Sequence, residues 1–400
     1  MVEKGITDYF EEFLTKEPLF KEKKILQANY TPETIPHREE QIKQIAKILA
    51  PSLRLEKPSN LFLYGKTGTG KTLSVKHISN KMLDIAKKNN LLLKIIYVNC
   101  KLKKIADTEY RLVAQLVREF GREIPPTGLP TDEVYKIFYN IVDRENQLIV
   151  LVLDEIDQLV KKTGDEILYN FTRINTELKK AQISIIGISN DLIFINNIDP
   201  RVKSSLSEEE LVFPPYNALQ LQDIIRQRTN AAFKEGTLMP GVIEKCAAYA
   251  AREHGDARRA LELIRVAGEL AERDGSEQVL IEHIDSAEDK IEKDRLIDVV
   301  TSQPKQFQAT MYSILMLENR KNIFTGDIYE IYQKLCKKIG QRPLTQRRIS
   351  DIIAELDMLG MINAKLISKG RYGRTREITV SLPSQVEENI KTILKKELGM

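Results

Sequence analysis

One glycine-rich segment constrains the fold of this chain more than any other feature. Residues 65–72 read Gly-Lys-Thr-Gly-Thr-Gly-Lys-Thr, between an apolar strand predicted at 61–64 and a helix predicted at 72–88. The glycines allow backbone N–H groups to point inward, and the helix adds the positive end of its dipole. The segment therefore predicts a phosphate-binding loop, with Lys71 at the β- and γ-phosphates and Thr72 holding Mg²⁺ through its hydroxyl.

Strand and helix patterns alternate around this loop. Strands are predicted at 61–64, 94–99, 148–153, 183–188 and 210–213, with helices at 72–88, 107–120, 131–144 and 165–179. Such alternation is typical of an α/β fold with a parallel sheet. After the last strand helices dominate, and a third unit begins near residue 302. We therefore predict three domains, at residues 16–217, 218–295 and 302–400.

Acidic and polar residues follow two of the buried strands. Asp154 and Glu155 end the all-apolar strand at 148–153, and Asn190 follows the strand at 183–188. Ligands of such sheets bind at the carboxyl ends of the strands. We expect Asp154 to hold Mg²⁺, Glu155 to polarise the attacking water, and Asn190 to hydrogen-bond the γ-phosphate or that water. Asp157 is expected to cap the next helix.

Two arginines farther along the chain are candidates for reading the nucleotide. Arg201 follows an Asp-Pro pair, and Arg258 lies in the Gly-Asp-Ala-Arg-Arg-Ala-Leu stretch at 255–261. Taken singly, each is better interpreted as a surface ion pair. Their order behind the phosphate loop and the acidic strand end favours contact with phosphate, Arg201 from a neighbouring subunit and Arg258 from the helical region.

The charge of the chain is concentrated in its last hundred residues. The whole chain has 61 lysines and arginines against 57 acidic residues, whereas residues 301–400 have 17 against 10. A basic module on a nearly neutral body indicates a polyanionic partner, most simply nucleic acid. No apolar run approaches the roughly 20 residues of a spanning helix, and the three cysteines are scattered. We expect no membrane contact and a reducing, cytoplasmic location.

The basic module has the pattern of a winged helix. Helices are predicted at 306–318, 328–339 and 346–359, the last capped by Thr345 and stopped by Gly360, and a hairpin at 362–368 and 376–381 follows. The third helix suits a DNA major groove, and the hairpin tip suits the backbone or minor groove. The candidate DNA contacts are Gln346, Arg347, Arg348, Lys369, Arg371, Tyr372 and Arg374. Winged helices also dock proteins, so that alternative stays open.

In this order, the phosphate loop, Asp154-Glu155, Asn190, Arg201 and Arg258 resemble an AAA+ ATPase. More narrowly, the chain resembles the archaeal replication initiators related to origin recognition complex subunit one and cell division control protein six. The likeness lies in residues 30–38, 199–216 and 255–261 and in the basic C-terminal module. The resemblance implies an α/β P-loop ATPase base with a parallel sheet, an all-α lid and a C-terminal winged-helix domain.

The resemblance also implies cofactors and contacts. ATP or ADP with Mg²⁺ is the expected ligand, with Thr72 and Asp154 at the metal. Arg201 matches the arginine finger, and Asn190 and Arg258 match the two sensors. The expected nucleotide contacts are Ile35, Pro36, Arg38, Gly65, Thr67, Gly68, Thr69, Gly70, Lys71, Thr72, Leu73, Tyr216 and Arg258. Slow hydrolysis with tightly held ADP follows from the family.

A loop with three prolines would be ordinary on its residues alone. In the family, the corresponding region of the ATPase domain touches DNA, and small apolar residues suit a shallow wedge in the minor groove. The candidates are Pro125, Pro126, Thr127, Gly128 and Leu129. The implied partners are duplex origin DNA, initiator paralogues and the replicative helicase.

Two other classes of protein are compatible with a P-loop ATPase of this size. One is a signalling or transcription regulator whose winged helix binds a promoter or a protein, although no segment is left over for the sensor or repeat domain usual there. The other is a clamp-loader-type ATPase working in a ring, which offers no reason for the basic hairpin.

Overall fold

The computed structural model describes residues 10–11, 14–28, 30–101, 108–125, 128–194, 198–206, 208–317, 323–368, 374–382 and 384–400. The chain divides into two compact units, Met1–Ile284 and Asp285–Met400. Within the described ranges, no helix combines the length and apolar character that crossing a bilayer would need. The three cysteines, Cys100, Cys246 and Cys336, are buried and unpaired by disulfides.

The first part of the larger unit alternates strands and helices, as predicted. In chain order it contains α1 (Glu39–Leu49), β1 (Asn60–Tyr64), α2 (Lys71–Lys88), β2 (Leu93–Asn99), α3 (Glu109–Glu119), α4 (Thr131–Val142), β3 (Leu148–Asp154), α5 (Ile156–Thr163), α6 (Glu166–Glu177), β4 (Gln182–Ser189), α7 (Pro200–Leu206) and β5 (Glu208–Val212). Two 3₁₀ turns, Lys23–Leu26 and Ala50–Arg54, add to these. The five strands form one sheet in the order β2–β3–β4–β1–β5.

All four strand pairings in this sheet are parallel, which confirms the predicted α/β class. The register places Asn99 opposite Asp154 and Tyr64 opposite Ser189, so the carboxyl ends of four strands are level. The residues that follow β1, β3 and β4 therefore meet at one edge of the sheet. This is the edge where parallel α/β sheets bind their ligands.

Helices cover both faces of the sheet. Strands β1 and β3 are buried along their whole length, because their alternate side chains enter two different apolar cores. Leu61 and Leu63 pack with α1 and α2 on one face. Phe62 and Leu151 pack with α3, α4 and α6 on the other. This double burial explains why residues 61–63 of β1 and 148–153 of β3 are all apolar.

The cap predicted at Asp157 is wrong. Asp157 lies inside the first turn of α5, and the residue at the N-cap position is Glu155, whose side chain makes no capping bond. The Asp157 side chain is buried, and its Oδ1 accepts a hydrogen bond from the Ser189 hydroxyl at 3.3 Å. The residue therefore ties α5 to the end of β4 instead of capping a helix.

Only helices follow β5 in the larger unit, as predicted for the lid. They are α8 (Ala218–Ala232), α9 (Val242–Arg252), α10 (Ala257–Arg273) and the start of α11 (Ile281–Thr301).

The amino-terminal segment of the chain packs against these lid helices. The rings of Phe20 and Phe233 lie 4.4 Å apart, and the Leu19 amide donates to Glu272 Oε1 at 2.9 Å. Buried Arg228 donates to the Ile25 carbonyl at 3.2 Å.

Gly268 in α10 is what makes this packing possible. A Cβ at Gly268 would lie 2.5 Å from the Phe20 ring and 2.9 Å from the Phe233 ring. We expect Gly268→Ala to lower the free energy of unfolding by about 1–3 kcal/mol, because overpacking outweighs the gain in helix propensity. Thermal unfolding measures this. Gly326→Ala is the control, because a Cβ there meets nothing within 4 Å; equal stability of both variants would contradict the expectation.

Among the described residues, the smaller unit contains the rest of α11, four further helices and a three-stranded antiparallel sheet. Its elements after α11 are α12 (Lys305–Leu315), β6 (Ile323–Phe324), α13 (Thr325–Lys338), α14 (Gln346–Met358), β7 (Ile362–Ser368), β8 (Arg374–Val380) and α15 (Ser384–Glu397). The strand order β6–β8–β7 and the apolar core beneath it are those of a winged helix.

A buried tyrosine holds the turn between α13 and α14. The Tyr332 hydroxyl donates to Gln306 Oε1 and accepts the Leu344 amide at 3.0 Å. Gln306 in turn donates to the Arg342 carbonyl at 3.0 Å. The turn that aims α14 is therefore fixed from inside the core.

Candidate functional site

The phosphate loop packs so closely that its glycines admit no side chain. A Cβ at Gly68 would lie 1.6 Å from Asp256 Oδ1, and one at Gly65 would lie 2.5 Å from the Phe213 carbonyl. Gly68 and Gly70 also have φ of +69° and +92°, which disfavour other residues. After Gly70 the helix α2 starts at Lys71, so its free amides face the loop.

Lys71 lies at the centre of the site. Its Nζ donates to the Gly65 carbonyl at 2.7 Å, the Lys66 carbonyl at 2.8 Å and Asn190 Oδ1 at 2.9 Å. Burial lowers the pKa of Lys71 to about 8, against the opposing effect of the nearby Asp154 carboxylate. The structure thus brings Lys71 and Asn190 together, as their predicted roles at the γ-phosphate require.

Oxygen ligands for a metal ion lie beside this lysine. The Thr72 hydroxyl donates to Asp154 Oδ2 at 2.9 Å, and the Glu155 amide donates to Asp154 Oδ1 at 2.9 Å. Asp154 is buried, whereas Glu155 is partly exposed. A hydroxyl and carboxylates form the oxygen donor set that Mg²⁺ prefers, so the residues present fit the expected ion.

Glu155 adopts an unusual backbone conformation. Its φ of +56° lies in the left-handed region, which costs a residue with a side chain about 1–2 kcal/mol. Its carboxylate pairs with Lys101, with Nζ and Oε2 3.6 Å apart. Glu155 and Asp154 line the same cavity.

A cavity of about 310 Å³ opens above the loop. It is lined by the loop, the strand ends and the lid together. Its lining residues from the predicted set are Ile35, Pro36, Thr67, Gly68, Thr69, Gly70, Lys71, Thr72, Leu73, Asp154, Glu155, Asn190, Tyr216 and Arg258.

Arg38 does not line the cavity but supports the loop. Its Nε donates to the Thr69 carbonyl at 2.8 Å, and its Nη2 donates to the Pro214 carbonyl at 2.5 Å. Its guanidinium lies 3.8 Å from the centre of the Tyr216 ring. Arg38 thus joins the phosphate loop to the segment that leads into the lid.

The two predicted arginines lie in different surroundings. Arg258 lines the cavity from the start of α10, where Asp256 Oδ1 accepts the Arg258 amide at 2.7 Å. The Ala257 amide also donates to the Gly68 carbonyl at 3.3 Å, so the lid touches the loop directly. Arg201 lies outside the cavity, and its exposed guanidinium pairs with Asp199 at 2.9 Å. An exposed position suits contact with another subunit.

Tyr97 lines the cavity but was missed by the sequence reasoning. It comes from β2, and its hydroxyl donates to Asp154. Burial is the main cause that raises the pKa of the Tyr97 hydroxyl, and its hydrogen bond to the Asp154 carboxylate raises the pKa further. Tyr30, Gln227 and Arg228 line the cavity as well. The sequence held one signal for Tyr97. It is a polar aromatic residue two places before the end of β2, the strand that pairs with the strand ending in Asp154.

The smaller unit presents basic residues at the start of α14. The Thr345 hydroxyl accepts the Arg348 amide at 3.4 Å, which confirms the predicted cap, and Gln346, Arg347 and Arg348 are exposed. Arg376 of β8 donates to the Ser350 carbonyl at 2.7 Å and holds the hairpin against this helix. Arg374 begins β8, whereas Lys369, Arg371 and Tyr372 lie outside the described residues.

The proline-rich loop of the larger unit is held at its beginning. The Tyr110 hydroxyl donates to the Pro125 carbonyl at 2.7 Å, and Arg118 donates to the Ile124 carbonyl at 3.3 Å. Pro125 and Gly128 are exposed, and Leu129 is half-buried against the core. Pro126 and Thr127 lie outside the described residues.

Comparison with known proteins covers almost the whole chain. Residues 298–389 match the family model for the CDC6 C-terminal winged helix domain, residues 222–289 the Cdc6 AAA+ ATPase-type lid domain, and residues 54–192 an AAA domain. An ORC1-type DNA replication protein of Pyrococcus furiosus is 52% identical over 96% of this chain and 92% of its own. An ORC1-type DNA replication protein 1 of Methanosarcina acetivorans is 50% identical over 96% and 93%.

A solved structure agrees with these relatives. The Aeropyrum pernix ORC1 protein in complex with DNA is 44% identical, with a TM-score of 0.84 over 96% of this chain and 98% of that one. The Aeropyrum pernix ORC2 protein, solved with ADPNP and ADP, is 21% identical with a TM-score of 0.60, which is a likeness of fold.

Proposed function

This chain belongs to the ORC1-type DNA replication proteins, and from that premise we propose that it is an ATP-regulated initiator that binds duplex origin DNA. The observation that carries the proposal is the cavity shared by the phosphate loop and the lid. Lys71 and Asn190 reach it from the base, and Arg258 reaches it from the lid. A triphosphate bound there touches both parts, so the nucleotide can set the angle between them.

Hydrolysis in this proposal depends on the strand-end carboxylates. Mg²⁺, held by Thr72 and Asp154, would neutralise charge that develops on the phosphates. Glu155 would accept a proton from the attacking water. In this proposal hydrolysis is slow and acts as a switch, with ADP held tightly afterwards.

DNA binding is proposed at two places. The exposed start of α14 and the hairpin would grip one part of the duplex through Gln346, Arg347 and the wing. The loop from Pro125 to Leu129 would insert its small apolar residues into a minor groove. The related Aeropyrum pernix ORC1 protein was solved with DNA, which supports a duplex as the ligand of this chain.

The remaining expectations are part of the same proposal. We keep the domain boundaries at residues 16–217, 218–295 and 302–400, and we place the protein on DNA in the cytoplasm. Initiator paralogues and the replicative helicase are the proposed protein partners. Arg201 is proposed to contact the nucleotide bound by a neighbouring subunit. Identity of about half over nearly the full chain to ORC1-type proteins favours an initiator over the transcription-regulator and clamp-loader alternatives.

Footprinting on genomic DNA tests the proposed function. The full chain, loaded in turn with ADP and a non-hydrolysable ATP analogue, is expected to protect a replication origin. The boundaries of the footprint are expected to change with the nucleotide. Protection of promoters alone would support the transcription-regulator alternative. Identical footprints with ADP and with the ATP analogue would contradict the proposal that the nucleotide controls DNA binding.

The contact proposed for α14 is tested with Arg347→Ala. We expect weaker duplex binding, because one phosphate contact is lost. The plot of log affinity against log salt concentration should become less steep by about one unit. The same result is expected for Arg371→Ala in the hairpin. Fluorescence anisotropy over a salt series measures both. Arg226→Ala, which removes an exposed arginine from the lid, is the control, and an effect of that size there would argue against a specific contact.

A further inference from the structure

Tyr97 reaches the proposed metal site from a neighbouring strand. In the register of the sheet, Tyr97 lies opposite Val152, two residues before the pair formed by Asn99 and Asp154. Because alternate residues of a strand share a face, Tyr97 and Asn99 point to the same side of the sheet. The phenol ring is long enough to extend from this position to the strand end, where its hydroxyl donates to Asp154 Oδ2.

Among the residues that the structure describes, three groups donate hydrogen bonds to the Asp154 carboxylate. Oδ2 accepts the hydroxyls of Tyr97 and Thr72, and Oδ1 accepts the Glu155 amide. Thr72 and Glu155 both belong to the predicted catalytic machinery. Tyr97 is the one donor whose role the proposed function leaves open.

The position of the Tyr97 ring is itself fixed. Lys76, one turn after Thr72 on α2, places its Nζ 4.7 Å from the centre of the ring. A cation over an aromatic face is attracted to the ring, and the two side chains restrict each other. Tyr97 is 37% exposed, so burial in a core does not account for its position.

We propose that Tyr97 is a positioning residue for the metal ion of the nucleotide site, acting through Asp154. The inference rests on the proposed nucleotide site. The hydroxyl of Tyr97 fixes the rotation of the Asp154 carboxylate, so that its oxygens are already aimed when Mg²⁺ arrives with the triphosphate. Such outer partners of metal ligands typically account for about 10–100-fold in metal affinity. In this role Tyr97 acts through Asp154, although its side chain also lines the cavity.

Tyr97→Phe tests the role because it removes the hydroxyl and keeps the ring under Lys76. Binding of a fluorescent ATP analogue is measured over a Mg²⁺ series and in EDTA. We expect the Mg²⁺ concentration for half-maximal effect to rise by about tenfold or more, whereas affinity in EDTA stays that of the wild type. Tyr139→Phe removes a hydroxyl from α4 away from the cavity, and it is expected to match the wild type.

A double-mutant cycle with Asp154→Asn separates this role from general support. If Tyr97 acts through Asp154, Tyr97→Phe changes the Mg²⁺ response of the wild type but not that of the Asp154→Asn protein. Equal losses with Mg²⁺ and in EDTA would make Tyr97 a structural residue and overturn the inference. An unchanged Mg²⁺ response would also overturn it. A wild type with no Mg²⁺ dependence would instead remove the metal site of the proposed function.

Discussion

Lys71→Ala is expected to abolish ATP binding at micromolar nucleotide. The Lys71 ammonium donates to the loop carbonyls of Gly65 and Lys66 and is a buried cation at the phosphate site. Each hydrogen bond from a charged group to phosphate contributes about 1.5–3 kcal/mol. Because both the β- and γ-phosphates lose this partner, affinity should fall at least about 100-fold. Equilibrium binding of a fluorescent ATP analogue measures the loss.

The protein itself should tolerate Lys71→Ala. Burial already disfavours the charged form of Lys71, as the fall of its pKa to about 8 shows. The melting temperature without nucleotide is therefore expected to change little. Lys81→Ala removes an exposed charge from the same helix and serves as the control. Tight ATP binding by the Lys71→Ala protein would refute the phosphate-loop assignment.

Glu155→Gln is expected to bind ATP normally and to hydrolyse it at least about 100-fold more slowly. A glutamine keeps the length of the side chain but cannot accept the proton from water, and general-base catalysis contributes about 10²–10⁴-fold. The metal carboxylate, Asp154, stays in place because the Glu155 backbone amide still donates to it. Single-turnover release of phosphate measures the rate.

Two control measurements test whether Glu155 acts as the general base. ATP affinity of the Glu155→Gln protein should stay within about twofold of the wild type, since general-base loss alone affects the chemical step. Glu166→Gln makes the same chemical change at an exposed position in the first turn of α6 and should hydrolyse ATP at the wild-type rate. An unchanged rate for Glu155→Gln would remove Glu155 from its proposed role.

Elements with a local signal were predictable from the sequence. The strand before the phosphate loop, the helix after it and the all-apolar strand β3 are defined by periodicity and glycines. The cap at Thr345 and the stop at Gly360, whose φ is +72°, follow from side-chain chemistry and from the freedom of glycine. Each of these features depends on residues that are close in sequence, and a local pattern therefore predicts it.

Two of the elements that were missed differ in their cause. The strand β6 has only two residues and exists because Ile323 pairs with Ile378, a distant partner that no local pattern reveals. The helix α15 did carry a signal, since Val386, Ile390 and Leu394 recur every four residues and are buried.

The candidate site shows the same division. The glycine loop and the acidic strand end have recognisable spacing, and so the residues around Lys71 and Asp154 were predicted as a group. Tyr97, Lys101 and Lys76 reach the site only because strands β2 and β3 are neighbours and α2 crosses them. A single sequence does not state which strands are adjacent, and these contacts could therefore not be predicted from it.

The amino-terminal segment, anchored on the lid at Phe20 and Ile25, continues to Ile35 and Arg38 at the phosphate loop. Even drawn out straight, the stretch from Leu26 to Ile35 spans no more than about 30 Å. This covalent connection sets an upper limit on how far the lid could move away from the phosphate loop. Cutting the backbone between these anchors would remove that limit, and it would also disturb the nucleotide site, because Tyr30 and Ile35 of the same stretch line the cavity.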